Sequence, residues 1–312
     1  MNIDDIYIAE TRIRPYLATT PVIYSSLLEK KLKKQVWLKL ETQQLTGSFK
    51  TRPAFNSILA DLELARKNGV IASSAGNFAQ GVAFAAHELH IPATLVMMEK
   101  TIEYKINRTK QWGAEVILCG NTHEDRINTT TSLQQKTGRL LLHPYDSYET
   151  IAGDGTIGLE ISQQLNDQLD ANTSVLVPIS GGGLIAGIAL AIKTLHPACR
   201  IIGIQPKMNG SAFQSIQQGK CVNVGPVSTL ADALIASMPG EKPFAIMQKY
   251  VDDILLVTED EIASATEFLI EQHKLVVEPG AAVSIAALFA GKITTERCVC
   301  ILSGGNINLW KK

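Results

Sequence analysis

The sequence predicts an α/β protein built on open, twisted, mostly parallel sheets with helices on both faces. Short β-branched runs recur that are apolar at successive positions, longer segments with apolar residues at helical spacing lie between them, and Gly or Pro punctuates the junctions. The strand candidates are, in order, QVWLKLE (35–41), GVIASSA (69–75), ATLVMM (93–98), AEVILCG (114–120), RLLLHP (139–144), SVLVPIS (174–180), RIIGIQP (200–206), DILLVT (253–258) and CVCILSG (298–304). Strands buried on both faces carry such runs because helices cover the sheet above and below. NFAQGVAFAAHELH (77–90), LIAGIALAIKTLHP (184–197) and EDEIASATEFLIEQHK (259–274) supply crossover helices, so the chain alternates strand and helix as a parallel sheet requires.

Composition excludes several classes of function. At 312 residues, 46% of them hydrophobic and 19% charged, the chain can bury a large core. A formal net charge of −1 leaves no basic excess for a nucleic-acid backbone, so no nucleic acid is expected as a partner. No uncharged run approaches the roughly 18 apolar residues of a membrane helix, and no membrane partner is expected. Five cysteines, Cys119, Cys199, Cys221, Cys298 and Cys300, form no C-x-x-C pair and leave an odd count, which suits a reducing compartment. With no apolar segment in the acidic N-terminal stretch, a cytoplasmic protein is expected. The six histidines, His87, His143 and His273 among them, show no ligand spacing and receive no role.

Four segments could carry chemistry. In SVLVPISGGGLIAGIALAIK a strand runs into Ser180, Gly181, Gly182 and Gly183 and then a helix, so that backbone N–H groups free of Cβ atoms can converge on an anion at the positive helix end. It is not a Walker A loop, since no G-K-[ST] follows, nor a G-x-G-x-x-G dinucleotide loop; the alternative is a plain tight turn. In IASSAGNFAQGVAFAAH, the small residues Ser73, Ser74, Ala75 and Gly76 before Asn77 expose N–H groups suited to a carboxylate, while Ser74 or Asn77 as a simple N-cap is the competing reading. CVCILSGGNIN places Ser303, Gly304, Gly305 and Asn306 after a buried strand. LTGSFKTRPA sets Lys50 in the opening of a helix, where a lysine is ordinarily just solvated. Three loops beyond the carboxyl ends of strands, with one lysine, point to a single cleft.

Taken in order, LKLETQQLTGSFKTRPA, SSAGNFAQGVA, WGAEVIL, HPYDSYETIAGDGTIGLEI, VPISGGGLIAGIA, KLVVEPGAA and LSGGNIN resemble the fold-type II pyridoxal-phosphate enzymes of the threonine/serine dehydratase and serine racemase group, over almost the full length. The resemblance implies a two-lobed, tryptophan synthase β-like architecture, with 1–68 and 147–312 forming a large cofactor-binding domain and 69–146 a small mobile one. It implies pyridoxal 5′-phosphate as cofactor, Lys50 as the Schiff-base lysine and base, and Phe49 beside the cofactor ring. Gly181, Gly182, Gly183 and Leu184 would hold the phosphate, Asn77 the ring's 3′ oxygen, and Ser303 the pyridine nitrogen. Ser74, Ala75, Gly76 and Asn77 would grip the carboxylate of a small amino-acid substrate. The implied reaction is dehydration and deamination of L-threonine to 2-oxobutanoate, or of L-serine to pyruvate, with a homodimer as the assembly. Cysteine synthase-like β-replacement and a catalytically idle binding homologue are the alternatives.

The sequence also departs from the family's pattern. Ala75 stands where racemases carry the serine that exchanges protons on the second face, so elimination is expected to dominate. Gln205 replaces the carboxylate that begins the racemases' divalent-metal site, and no metal is expected there. Phe78 replaces a His, Pro53 and Ala233 each replace a Gly, and Asp154 replaces the usual Gln of AGQGT. Pro53 is compatible with an early helix position, which needs no N–H donor. Asp232 and Glu278 lie in matching stretches, with a structural role open beside a functional one. The NINLWKK ending leaves no room for a regulatory domain, so end-product feedback is not expected.

Overall fold

A computed structural model describes residues 1–307; residues 308–312 of the closing NINLWKK segment lie outside the described part. Ten strands form two sheets: β1 (Val22–Tyr24), β2 (Gln35–Leu40), β3 (Val70–Ser73), β4 (Ala93–Met98), β5 (Glu115–Cys119), β6 (Leu140–Leu142), β7 (Thr173–Pro178), β8 (Arg200–Pro206), β9 (Asp253–Val257) and β10 (Arg297–Leu302). The larger sheet has the order β1-β2-β10-β7-β8-β9 and the smaller β5-β4-β3-β6. All pairings are parallel except β1 with β2. The nine strands expected from the sequence are all present. The tenth, β1, has three residues at an antiparallel edge, too few to display a period.

Burial explains the apolar runs. Every residue of β7 is buried, as are Cys298 to Leu302 of β10, because helices lie on both faces. One core cluster joins β2, β8, β10 and the Pro279–Phe289 helix, and another joins β7 to the Gly183–Leu195 helix. A third packs β3 and β4 against the Asn77–Glu88 and Thr51–Ala60 helices.

Strand order positions the site. In the larger sheet β2, β10 and β7 are neighbours and run parallel, so the loops after them, which carry Lys50, Ser303 and Gly181 to Gly183, emerge side by side. In the smaller sheet β3 and β6 are neighbours, so the 74–77 loop and the segment carrying Pro144 and Tyr145 also emerge together.

The Tyr148–Leu165 helix lies between the Lys50 loop and the glycine loop, and glycines let it approach both. A Cβ on Gly153 would sit 2.7 Å from Pro53 Cα, and one on Gly187 would collide with the Ile151 carbonyl. The residue between Gly153 and Gly155, Asp154, is thereby pressed between two backbones.

Candidate active site

The Lys50 loop and the Ser303 loop are zipped together. The Phe49 N–H donates to the Ser303 carbonyl at 3.1 Å, the Gly305 N–H to the Gly47 carbonyl at 2.9 Å, and Asn306 Nδ2 to the Thr46 carbonyl at 2.8 Å. Ser48 and Gly304 form an isolated antiparallel bridge between them. Thr46 (φ 64°) and Gly47 (φ 75°) reverse the chain just before the lysine. A β-branched residue in the left-handed region is strained, and here the Asn306 amide holds it.

Lys50 caps the Thr51–Ala60 helix, and its side chain turns inward. Nζ donates to the Pro144 carbonyl at 2.6 Å and lies 4.7 Å from the Phe49 ring centroid and 5.6 Å from that of Phe78. Desolvation lowers the pKa of the amine, and the Asp154 carboxylate only partly offsets this. The ordinary solvated lysine is therefore not what the fold contains. Phe78, in place of the family's histidine, is the second aromatic face beside this amine.

Asn77 opens the Asn77–Glu88 helix. Its Nδ2 donates to Glu278 Oε1 at 2.8 Å, and its Oδ1 accepts from Asn306 Nδ2 at 2.8 Å. The N-cap is Gly76, and no side chain caps this helix, so the capping alternative for Ser74 and Asn77 is not realised. Ser74 Oγ accepts only a 3.4 Å bond from the Gly76 N–H. Ser74, Ala75 and Gly76 remain half-buried, beside first-turn N–H groups without a side-chain acceptor.

In the glycine loop Gly182 adopts φ +97° and caps the Gly183–Leu195 helix without a side-chain bond. A Cβ on Gly181 would strike the Tyr145 ring, and one on Gly183 would lie 3.0 Å from Asp154 Oδ2 and 3.1 Å from Tyr145 Cα. Leu184 is buried in the core beneath. Ser180 Oγ accepts from the Ala236 N–H at 3.2 Å, and the Gly181 carbonyl accepts from the Gly240 N–H at 3.0 Å, fixing the loop's outer side. Ser303 is buried at the end of β10. Ser48 Oγ is buried without a partner.

Three further residues join this constellation. Glu278 is buried, its backbone N–H donates to the Gly304 carbonyl at 3.0 Å, and burial pushes its carboxyl up to about 7. Tyr145 lies over Gly181 and is held by His143, whose ring meets it edge-on at 4.7 Å. His143 Nδ1 accepts the N–H groups of Tyr145 (3.3 Å) and Asp146 (2.8 Å), and burial lowers its pKa to about 4, so it is neutral and acts as an acceptor. Glu278 stood in a matching stretch of the sequence. Tyr145 and His143 also stood in a matching stretch, HPYDSYETIAGDGTIGLEI, but no spacing there gave either a role.

Behind Lys50 lies a buried ionic cluster. Arg52 pairs with Glu41 (Nε–Oε2 2.8 Å, Nη2–Oε1 2.9 Å) and with Glu160 (Nη1–Oε1 2.7 Å, Nη2–Oε2 2.8 Å), and Lys39 Nζ reaches Glu160 at 2.5 Å. Two cations and two carboxylates balance there, and the cluster anchors the helix that carries Lys50. Gln205, far from it, spends its amide on the Ser211–Gln218 helix, with Oε1 accepting from Ala212 (3.1 Å) and Phe213 (3.3 Å) and Nε2 donating to Ser211 Oγ (3.2 Å).

Comparison with known proteins adds family context to this geometry. The family described as pyridoxal-phosphate dependent enzyme matches residues 13–304. The L-threonine ammonia-lyase of Geobacter sulfurreducens is 43% identical over 303 residues, covering 96% of this chain and 74% of its own. Among solved structures, the threonine deaminase of T.th. superposes with a TM-score of 0.94 at 38% identity over the whole of both chains. Maize serine racemase also gives 0.94, at 36% identity over 99% of this chain and 94% of its own.

Proposed function

The chain belongs to the pyridoxal-phosphate dependent enzymes, and on that premise we propose that it is an ammonia-lyase that dehydrates and deaminates a small β-hydroxy amino acid, L-threonine to 2-oxobutanoate or L-serine to pyruvate. The observation that carries this reading is the desolvated Lys50 amine, held by the Pro144 carbonyl between two aromatic rings, beside the uncapped glycine loop. The residues fit the cofactor: an amine with a depressed pKa for its aldehyde, a glycine turn at a helix N-terminus with no side-chain cap, against which Tyr145 and Asp154 pack too closely for any Cβ at Gly181 or Gly183, and the polar side chains of Asn77 and Ser303. Bound pyridoxal phosphate supplies an electron sink that acidifies the substrate's Cα–H.

The chain's own groups divide the remaining work. Lys50 Nζ would hold the cofactor, and its amine would serve as the base for the substrate's Cα proton, a role its desolvation supports. The first-turn N–H groups of the Asn77–Glu88 helix, with Ser74 to Gly76 ahead of them, receive the substrate carboxylate. Backbone N–H groups of Gly181 to Leu184 receive the phosphate at the positive end of the Gly183–Leu195 helix. Asn77, oriented by Glu278 and Asn306, would hold the cofactor's ring oxygen, and Ser303 would meet its ring nitrogen. Ala75 offers no hydroxyl for proton exchange on the second face, which favours elimination over racemisation.

We read residues 69–146 as a small domain that closes over substrate against the large one formed by 1–68 and 147–312. Besides the apolar packing of the Asn77–Glu88 helix on the Thr51–Ala60 helix and the partly buried Lys50–Pro144 and Asn77–Glu278 bonds, the two meet through partly exposed polar pairs, Lys105 Nζ–Asp232 Oδ2 at 2.9 Å and Arg108 Nη2–Asn306 Oδ1 at 3.1 Å. Such pairs break and re-form at low cost. No described helix is long and apolar enough to cross a membrane. A cytoplasmic homodimer completes the reading; sedimentation as a single 312-residue chain would remove the dimer.

The test is a panel of serine, threonine and 3-hydroxyaspartate scored by 2-oxo acid formation, with Lys50→Ala as control. The reading requires turnover of threonine or serine that is lost, together with the bound chromophore, in the variant. Cofactor-loaded protein inert toward both substrates would overturn it. O-acetylserine with sulfide, if turned over preferentially, would assign β-replacement instead.

A further inference from the structure

Asp154 is the one described carboxylate whose two oxygens are both buried without any hydrogen-bond partner. Its exposure is 0%, and its helix is held close by Gly153 against Pro53 and by Gly155 against Gly187. Oδ2 points at Gly183, where a Cβ would come within 3.0 Å, at the uncapped end of the Gly183–Leu195 helix. The charged groups that act on it are Lys50, Glu41 and Arg52. Glu41 and Arg52 bond each other, and the Lys50 amine donates to Pro144, so none supplies a hydrogen bond.

An ionised carboxylate in this position is doubly unfavourable. It is desolvated with no hydrogen bond and only a partial offset from the Lys50 and Arg52 charges, and it would meet a further negative charge in a phosphate bound at the glycine loop. The neutral acid removes both costs, because its O–H becomes a donor that an incoming anion can accept.

We propose that Asp154 is a further cofactor-binding residue, which carries its proton when pyridoxal phosphate is bound and donates it in a hydrogen bond to the phosphate held by Gly181 to Leu184. At alkaline pH that proton is drawn from solvent as the cofactor binds, and no bond of Asp154 other than this O–H changes. Burial raises the titration of this carboxyl, against a partial opposing pull from the Lys50 ammonium, and the phosphate raises it further. This inference rests on the cofactor assignment above and not on the identity of the substrate.

The experiment is equilibrium binding of pyridoxal 5′-phosphate to cofactor-free protein, read by absorbance between about pH 6 and about pH 8.5, for wild type, Asp154→Asn, Asp154→Gln and Asp154→Ala. The titration of free cofactor and of Lys50 is common to all four, so the ratio of affinities isolates Asp154. The ratio of wild-type to Asp154→Asn affinity is expected to fall at least about tenfold across that range, since each pH unit above the carboxyl's titration costs up to about tenfold. Asn and Gln, which keep an N–H donor, should bind alike, and Ala more weakly than either at every pH. Pyridoxal, which lacks the phosphate, should bind all four with the same pH dependence. A flat ratio, or pyridoxal tracking the variants as the phosphate ester does, overturns the proposal while leaving the cofactor assignment intact. Wild type that binds no pyridoxal phosphate at any pH overturns both.

Discussion

The Lys50 amine donates a 2.6 Å hydrogen bond to the carbonyl of Pro144, ninety-four positions along the chain. That bond joins the loop after β2 in the larger sheet to the segment after β6 in the smaller one, and places the amine where water does not stabilise its charge. Lys50→Arg keeps a cation and about the same reach, yet it cannot form the imine or lose its proton near neutral pH. We expect turnover of threonine or serine to fall by about 10²–10⁴-fold or more in Lys50→Arg, as in Lys50→Ala. Single-turnover assays of 2-oxo acid release would check this, and residual activity within tenfold of wild type would remove Lys50 from the role.

Gly81 faces the backbone that carries this lysine. A Cβ there would come within 2.8 Å of the Lys50 carbonyl oxygen and 3.0 Å of its carbon. Gly81→Ala must therefore displace Lys50 or tilt the Asn77–Glu88 helix, at a cost of about 1–3 kcal/mol in stability. Activity should suffer more than stability, because both partners in the clash belong to the site. Thermal melting beside kcat would separate the two effects; unchanged kcat would mean that the helix yields instead.

Glu278 makes stability fall as pH rises. Its folded carboxyl titrates near 7 against 4.5 unfolded, so the folded state keeps a proton that the unfolded chain has released. The stabilising contribution is whole below about pH 4.5 and is lost as pH climbs through about 7. Glu278→Gln retains an acceptor for Asn77 and has no charge to desolvate. Relative to wild type it should gain up to about 3 kcal/mol between acid and mildly alkaline pH. Urea unfolding at about pH 5 and about pH 8 measures the difference, and equal shifts at the two pH values would refute the assignment.

Arg52 holds two buried carboxylates at once. Arg52→Met would leave Glu41 and Glu160 facing each other with only Lys39 between them and the core, and we expect a loss of about 3–5 kcal/mol. Replacing Glu160 by Gln in the same chain should recover part of that loss. Denaturant titration of the single and double variants forms the cycle; additive losses would show that the cluster is not coupled.

The strands, their parallel character and the order of the loops were legible because each rests on local information. A run such as SVLVPIS is apolar on both faces and can only lie inside a covered sheet, and three consecutive glycines can only be a backbone surface. β1 escaped because three edge residues carry no period. Glu278, Tyr145 and His143 escaped as working members of the site because each acts through a partner remote in sequence. Asn77 and Glu278 are 201 positions apart, and the ring of Tyr145 reaches Gly181 only once β6 and β7 are in place.

The amino-acid sequence alone thus determined the α/β class and the succession of glycine loops, since periodicity and turn chemistry act over a few residues, and the resemblance those loops carry singled out Lys50 as the candidate lysine. Only the tertiary structure decided the electrostatics and company of each group: the dry amine of Lys50, the raised carboxyl of Glu278, the neutral His143 and the orphaned Asp154. The physical reason is that desolvation and charge pairing depend on every neighbour in space, and those neighbours come from strands brought side by side by the sheet order rather than by the chain.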